Sequence, residues 1–129
     1  MMADLRSYCL ADSTVSSLIG TRFHLDRIPQ NQTLPNVRYS ILAESVTNTH
    51  GADTAHLNDD AIRIEVFSKK ASDGLAIKDA LKSRLNSKRV TQGTTVFQLI
   101  EWSTSQSDYD DDFELFRQII TINVMWSPT

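Results

Sequence analysis

Cysteine occurs once, at Cys9, and glycine and proline are scarce, with four and three residues in a chain of 129. A lone cysteine rules out an intrachain disulfide and a multi-cysteine metal site, and it suits a reducing compartment. Gly20, Gly51, Gly74 and Gly93 stand far apart, so the sequence holds no phosphate-cradling loop and no G-x-S-x-G elbow to present a nucleophile. Basic excess is missing as well: 13 Lys and Arg face 16 Asp and Glu, for a net charge of -3 and a pI near 5.5. Affinity for nucleic-acid phosphates comes from clustered cations that release counterions, so this balance argues against a protein that grips DNA or RNA. No apolar stretch is long enough to span a bilayer, and the opening MMADLRSYCLADSTV lacks the basic segment and apolar run of a signal peptide. The expectation is a protein made and assembled in the cytosol.

What is present is the composition of an ordinary folded domain, 40% hydrophobic and 22% charged. A chain of this length can bury roughly two-thirds of its unfolded surface, so residues 1–129 are expected to form one domain. Leu5, Tyr8, Cys9, Val15, Leu18 and Ile19 recur at helical spacings on either side of Asp12 and Ser13. That pattern predicts a helix, an N-cap restart at Asp12 or Ser13, and a second short helix closed by Gly20. TRFHLDRI alternates Phe23 and Leu25 against Arg22, His24 and Asp26, the period of a half-buried strand. IPQNQTLP is a connecting loop. From Val37 to Val46 a second strand sets Val37, Tyr39 and Ile41 against Arg38 and Ser40.

TNTHGADTAHLNDD is polar and contains Gly51, so it is read as a long exposed loop or hairpin tip. AIRIEVFS is a strand with Ile62, Ile64 and Val66 on one side and Arg63, Glu65 and Phe67 on the other. In ASDGLAIKDALKSRLN the residues Ile77, Ala80, Leu81, Arg84 and Leu85 return at helical period, with Ser72 or Asp73 placed to cap the first turn. TTVFQLIEWS alternates Val96, Gln98, Ile100 and Trp102 against Phe97, Leu99 and Glu101. After the polar tip STSQSDYDDD, the last strand sets Phe116, Ile120, Ile122, Val124 and Trp126 against Arg117, Thr121 and Asn123, and the two strands pair as an antiparallel hairpin. The order helix, strand, strand, strand, helix, strand, strand predicts an α+β fold. Its expected form is a two-layer sandwich, with two main helices on an antiparallel or mixed sheet of about four to five strands.

Asp108, Asp110, Asp111 and Asp112 crowd around Tyr109 and invite a metal. Were Asp108, Asp110 and Asp112 the first ligands of an EF-hand loop, glycine would be needed where Phe113 stands and glutamate where Ile119 stands. The aspartates therefore read as a charged hairpin tip that keeps neighbouring strands from sticking. His50 and His56 share one polar loop and His24 lies on a strand; without cysteine partners or an H-E-x-x-H helix they read as solvated side chains. Asp59 and Asp60 are sequence neighbours, which is no catalytic dyad without burial to shift a pKa. Cys9 and the two tryptophans, Trp102 and Trp126, read as core residues. Lys78, Lys82, Arg84, Lys88 and Arg89 spread along one amphipathic segment as a solvated helix face, with contact to an acidic partner as the alternative. No constellation demands catalysis, and no catalytic residue, metal or cofactor is assigned.

Several stretches carry a family resemblance. LADSTVSSLIGTRF is a small-residue helix that opens into a strand, and Leu34, Pro35, Asn36, Val37, Arg38 and Tyr39 lead into the next. IRIEVFSKKASDGLAIKDALKSRL runs from strand to amphipathic helix, and DYDDDFELFRQIITINVMW places a tyrosine and acidic residues before an arginine and an alternating apolar run. In this order the chain resembles the tail-completion, or tail-terminator (head-tail joining), proteins of long-tailed bacteriophages and prophages. The resemblance implies a structural virion protein without catalytic activity. It implies a ring of about six copies that caps the head-proximal end of the tail tube, ends its polymerisation and joins the tail to the head or neck. DNA would pass through the channel without sequence-specific binding. The implied partners are further copies of the chain, the tube protein and a head-completion or stopper protein of the neck, with no membrane. On that reading His50, Asp53, His56, Asp59 and Asp60 at one tip, and Asp108, Tyr109, Asp110, Asp111 and Asp112 at the other, are candidate interface or channel residues. Lys78, Lys82, Lys88 and Arg89 are candidate partner-facing cations. Another neck component, a stopper or connector subunit, is the neighbouring alternative, and a small metal-dependent enzyme the distant one.

Overall fold

The computed structural model describes residues 1–48 and 56–129. Helices α1 (Met2–Leu10) and α2 (Ser13–Ile19) come first, followed by strands β1 (Phe23–Leu25), β2 (Asn36–Asn48) and β3 (His56–Ser68). Helix α3 (Ala71–Leu85) then leads to β4 (Lys88–Gln92), β5 (Thr95–Asp110) and β6 (Leu115–Pro128). The restart falls where the sequence places it: the Asp12 carboxylate accepts from the N–H groups of Thr14 at 2.8 Å and Val15 at 3.2 Å, satisfying donors that the first turn of α2 leaves free.

The strands form one six-stranded sheet in the order β1-β2-β3-β6-β5-β4. Every neighbouring pair is antiparallel except β1 and β2, which are parallel. Two long hairpins, β2–β3 and β5–β6, thus lie side by side, joined where Asn58 pairs with Trp126 at one end and Ser68 with Phe116 at the other. Their tips point in opposite directions. The β2–β3 tip marks the upper end of the sheet here, and the β5–β6 tip the lower end.

Strand alternation puts Ile62, Ile64 and Val66 of β3 and Ile120, Ile122 and Val124 of β6 on one face, where all are fully buried. Helix α3 brings Ile77, Leu81 and Leu85 to the same core, and α1 and α2 add Leu5, Tyr8, Cys9, Val15 and Ile19. Gly74 lets α3 approach the sheet closely, since a Cβ there would lie 2.9 Å from Ser68 Oγ. Helix α1 is held by a reciprocal pair: Tyr8 O–H donates to the Arg84 carbonyl at 3.0 Å, and Arg84 Nε donates to the Tyr8 carbonyl at 2.9 Å. The Arg84 guanidinium stacks 3.8 Å from the Tyr8 ring centroid. No described helix is long and apolar enough to cross a membrane.

The α+β class and the helices on one face match expectation, while several details differ. The sheet has six strands, and β4 is the added one. Lys88 and Arg89 belong to it and not to the helix, which ends at Leu85; with one apolar residue, Val90, in KRVTQ, no period-two signal marks the strand. Neither Ser72 nor Asp73 caps α3, whose N-cap is Lys70 with no side-chain bond. In β5 a bulge between Phe97 and Leu99 breaks the simple alternation, so that Phe97 and Ile100 are the buried pair. What reads as a polar tip before Asp111 is strand as far as Asp110, and the polar segment after Val46 is strand to Asn48 and again from His56.

Truncation of Ile64, at the centre of the buried face, is expected to cost about 2–5 kcal/mol in Ile64→Ala. Urea unfolding followed by circular dichroism measures it, and a loss below about 1 kcal/mol would contradict this account of the core.

Candidate assembly surfaces

The second face of the sheet carries no helix, and a row of alternating charge crosses it. Arg38 of β2 and Glu65 of β3 are directly paired residues, and their side chains meet at 2.5 Å. Glu65 also accepts from Arg117 of β6 at 3.2 Å. Arg117 in turn forks onto Asp108 of β5, with Nε at 3.0 Å and an Nη at 2.6 Å from the two carboxylate oxygens. Glu65 is only 3% exposed. Two arginines flanking one carboxylate supply both the cover and the countercharge that burial demands. The Arg117 hydrogen bonds hold the Asp108 carboxyl below its ordinary value of 3.8, and the same bonds push Arg117 further up.

The lower tip is built on Asp110, whose carboxylate accepts from the N–H groups of Asp112 at 2.9 Å and Phe113 at 3.2 Å. This local bond turns the chain, and Glu114 completes the turn at a positive φ of 54°. Asp111 and Asp112 are exposed, and Phe113 stands 74% exposed beside them. Tyr109 packs tilted against Phe116 across the hairpin, with ring centroids 4.7 Å apart. Behind the tip, Phe113 and Leu115 share an open, largely apolar groove of about 530 Å³ with Ile28, Pro29, Leu34 and Phe67.

The acidic candidates therefore separate by role. Asp108 is an ion-pair partner on a strand, Asp110 a turn-former, and Asp111 and Asp112 are exposed at the tip with no side-chain bond among the described residues. At the upper end, Asp59 is exposed on the open face near Glu101, while Asp60, expected in a loop, is a buried strand residue that accepts from Trp126 Nε1 at 2.9 Å. His50 and Asp53 lie outside the described residues, and of His56 only its place at the start of β3 is described. Lys78 and Lys82 lie on α3, and Lys88 and Arg89 on the outermost strand β4, so the four cations do not share one element. Cys9 is fully buried, and burial pushes its thiol up to about 12, which keeps it protonated at neutral pH. Among the described residues no group of three or more His, Cys, Asp or Glu side chains converges to hold a metal.

Alternating signs at Arg38, Glu65 and Arg117 are visible in the sequence. Their convergence depends on β6 lying between β3 and β5, which joins residues 52 apart in the chain.

These surfaces belong to a small helix-backed sheet domain whose charged groups lie on an open face, at strand edges and at hairpin tips. The family model described as "Tail completion protein gp17" matches residues 3–127. The chain belongs to that tail-completion family. Its fold is similar to that of a chain in the solved structure titled "Virion of native gene transfer agent (GTA) particle", with a TM-score of 0.74 and 14% identity over 100% of this chain and 95% of the other. No curated protein matches the sequence.

Depression of the Asp108 carboxyl favours the folded state above the ordinary carboxylate range, and the benefit disappears as pH falls through the lowered value. Asp108→Asn is expected to cost about 0.2–1 kcal/mol at neutral pH, a small figure because solvent screens the half-exposed pair. The difference from wild type should begin to shrink as pH falls below 3.8 and vanish once it passes the lowered value of the folded state, as followed by denaturant unfolding across pH. Glu65→Gln, which leaves two arginines without their shared carboxylate, is expected to cost more, about 1–3 kcal/mol.

Proposed function

We propose that the protein is a structural, non-catalytic component of a virion, assembled in the host cytoplasm and placed at the neck. There it caps the head-proximal end of the tail tube as a ring of about six copies. The ring ends tube polymerisation, joins the tail to the stopper or head-completion protein, and leaves a channel for DNA. Membership of the tail-completion family over nearly the whole chain carries this reading. The virion origin of the structural neighbour agrees with it, as does the disposition of the charges.

Six copies at a net charge of -3 would carry about -18, and a lumen of that sign repels phosphate and lets DNA slide without sticking. Exposed Asp111, Asp112 and Phe113 at the lower tip form a contact for a neighbouring ring or tube. Exposed Lys82 and Arg89 offer sites for an acidic partner.

Light scattering of the purified chain should give a species of about 87 kDa for six copies of 14.5 kDa, free or after addition of tail tubes, and electron microscopy should show a central hole. Deleting the protein from the particle that encodes it is expected to yield tubes of uncontrolled length beside heads without tails. Normal, joined tails in its absence would refute the reading.

A further inference from the structure

Neither long edge of the sheet is covered along its whole length. β1 pairs with β2 only at Val37, Arg38 and Tyr39, so residues 40–48 of β2 have no strand on their outer side among the described residues. β4 pairs with β5 only between Thr95 and Ile100, and residues 103–110 of β5 are likewise open and exposed. One edge is therefore open in its upper half and the other in its lower half. Both open strands bulge at one level, between the end of β1 and the end of β4. β2 bulges between Ile41 and Ala43, β5 bulges between Trp102 and Thr104, and the register runs from Ile41 through Ile62 and Ile122 to Trp102. Open edges of this length are templates for another strand.

The edges also fit each other. Followed across the sheet, the registers put Lys88 of β4 level with Ile100, Val124, Asp60 and Glu44, and Val90 level with Phe97, Trp126, Asn58 and Val46. At the lower end Phe23 of β1 is level with Ser107 of β5 through Val37, Val66 and Gln118. A second copy set alongside without axial displacement brings β4 of one copy into the open upper half of β2 of the other. The chemistry agrees: Lys88 meets Glu44, and Val90 meets Val46, which is 59% exposed. At the lower end the outward groups of β1 are already bonded within the chain: the Phe23 N–H donates to the Thr21 carbonyl, the Phe23 carbonyl accepts from Arg6 Nε at 2.7 Å and the Leu25 carbonyl accepts from the Arg27 N–H, so the match is confined to the upper half.

We propose that copies of this chain join edge to edge through this match. β4 of one copy lies parallel along the open upper half of β2 of the next. One sheet then runs through the assembly with all helices on the same side. The contact is heterologous, so repeating it with a rotation closes a ring; to that extent the proposal rests on the ring reading above. Because one chain carries both halves of the match, the occupant of each edge is a second copy.

The test is a cysteine pair, Val46→Cys with Val90→Cys. Neighbouring strands lie about 4.8 Å apart, inside the Cα separation that a disulfide spans, and Cys9 is buried and does not compete. Oxidation of the doubly substituted chain, free and on tail tubes, is expected to give a ladder of covalent multimers on a denaturing gel, while each single variant runs as a monomer. Light scattering of the unsubstituted chain under the same conditions separates the two ideas. Rings that form without a ladder overturn the edge pairing and leave the ring reading standing, whereas a monomer both in solution and on tubes overturns both. Charge exchange checks the register independently: Glu44→Lys or Lys88→Glu alone should weaken assembly about tenfold, and E44K with K88E should recover most of it. A double variant no better than either single one rejects this alignment.

Discussion

Six side chains from two adjacent strands, Ile62, Ile64 and Val66 of β3 and Ile120, Ile122 and Val124 of β6, form the dry centre of the sheet. Their burial on one face lets α3 pack closely, and Gly74 permits that approach. Removing this much branched apolar surface from water is the dominant favourable term available to a domain of this size. The β3–β6 pairing also brings the two long hairpins together, so the tips, the edges and the uncovered face all take their positions from it. Helix α1 is secondary in this sense, tied to α3 by the Tyr8 and Arg84 pair and to the β4–β5 turn by the Thr95 to Asp4 hydrogen bond.

A domain with one helix-covered face leaves its other face and its edges for other work. Here the open face is held by ion pairs across β2, β3, β6 and β5. Such pairs add little net stability at half-exposed sites, but they order side chains in defined positions. A rigid polar face with two stepped edges suits an assembly subunit, where repeated contacts matter more than an enclosed pocket. The described cavities are open and shallow by comparison with a substrate cleft, and the strongly perturbed groups, Cys9 and Arg117, are explained by burial and by salt bridging.

Long periodic segments were legible from residue pattern. The buried alternation of β3 and β6, the face of α3, the Asp12 cap and the core placement of Cys9 all follow from local spacing. Short or polar elements were not. KRVTQ has too few apolar residues to show a period, and the lower half of β5 is strand because β6 lies beside it, although both its faces are exposed. Asp60 illustrates the same limit: a carboxylate in a polar stretch became a buried acceptor once the sheet placed Trp126 beside it.

By itself the sequence determined which segments are helix and strand where periodicity is strong, and which side of β3 and β6 faces the core. These are local properties, set by side-chain spacing along one backbone. Only the tertiary structure decided that β6 inserts between β3 and β5, that Glu65 is shared by Arg38 and Arg117, and that β2 and β5 bulge at one level. The physical reason is that a strand's alternation marks which face is buried and leaves open which strand lies beside it. That choice is made by nonlocal pairing, and the surfaces available for assembly are what the pairing leaves uncovered.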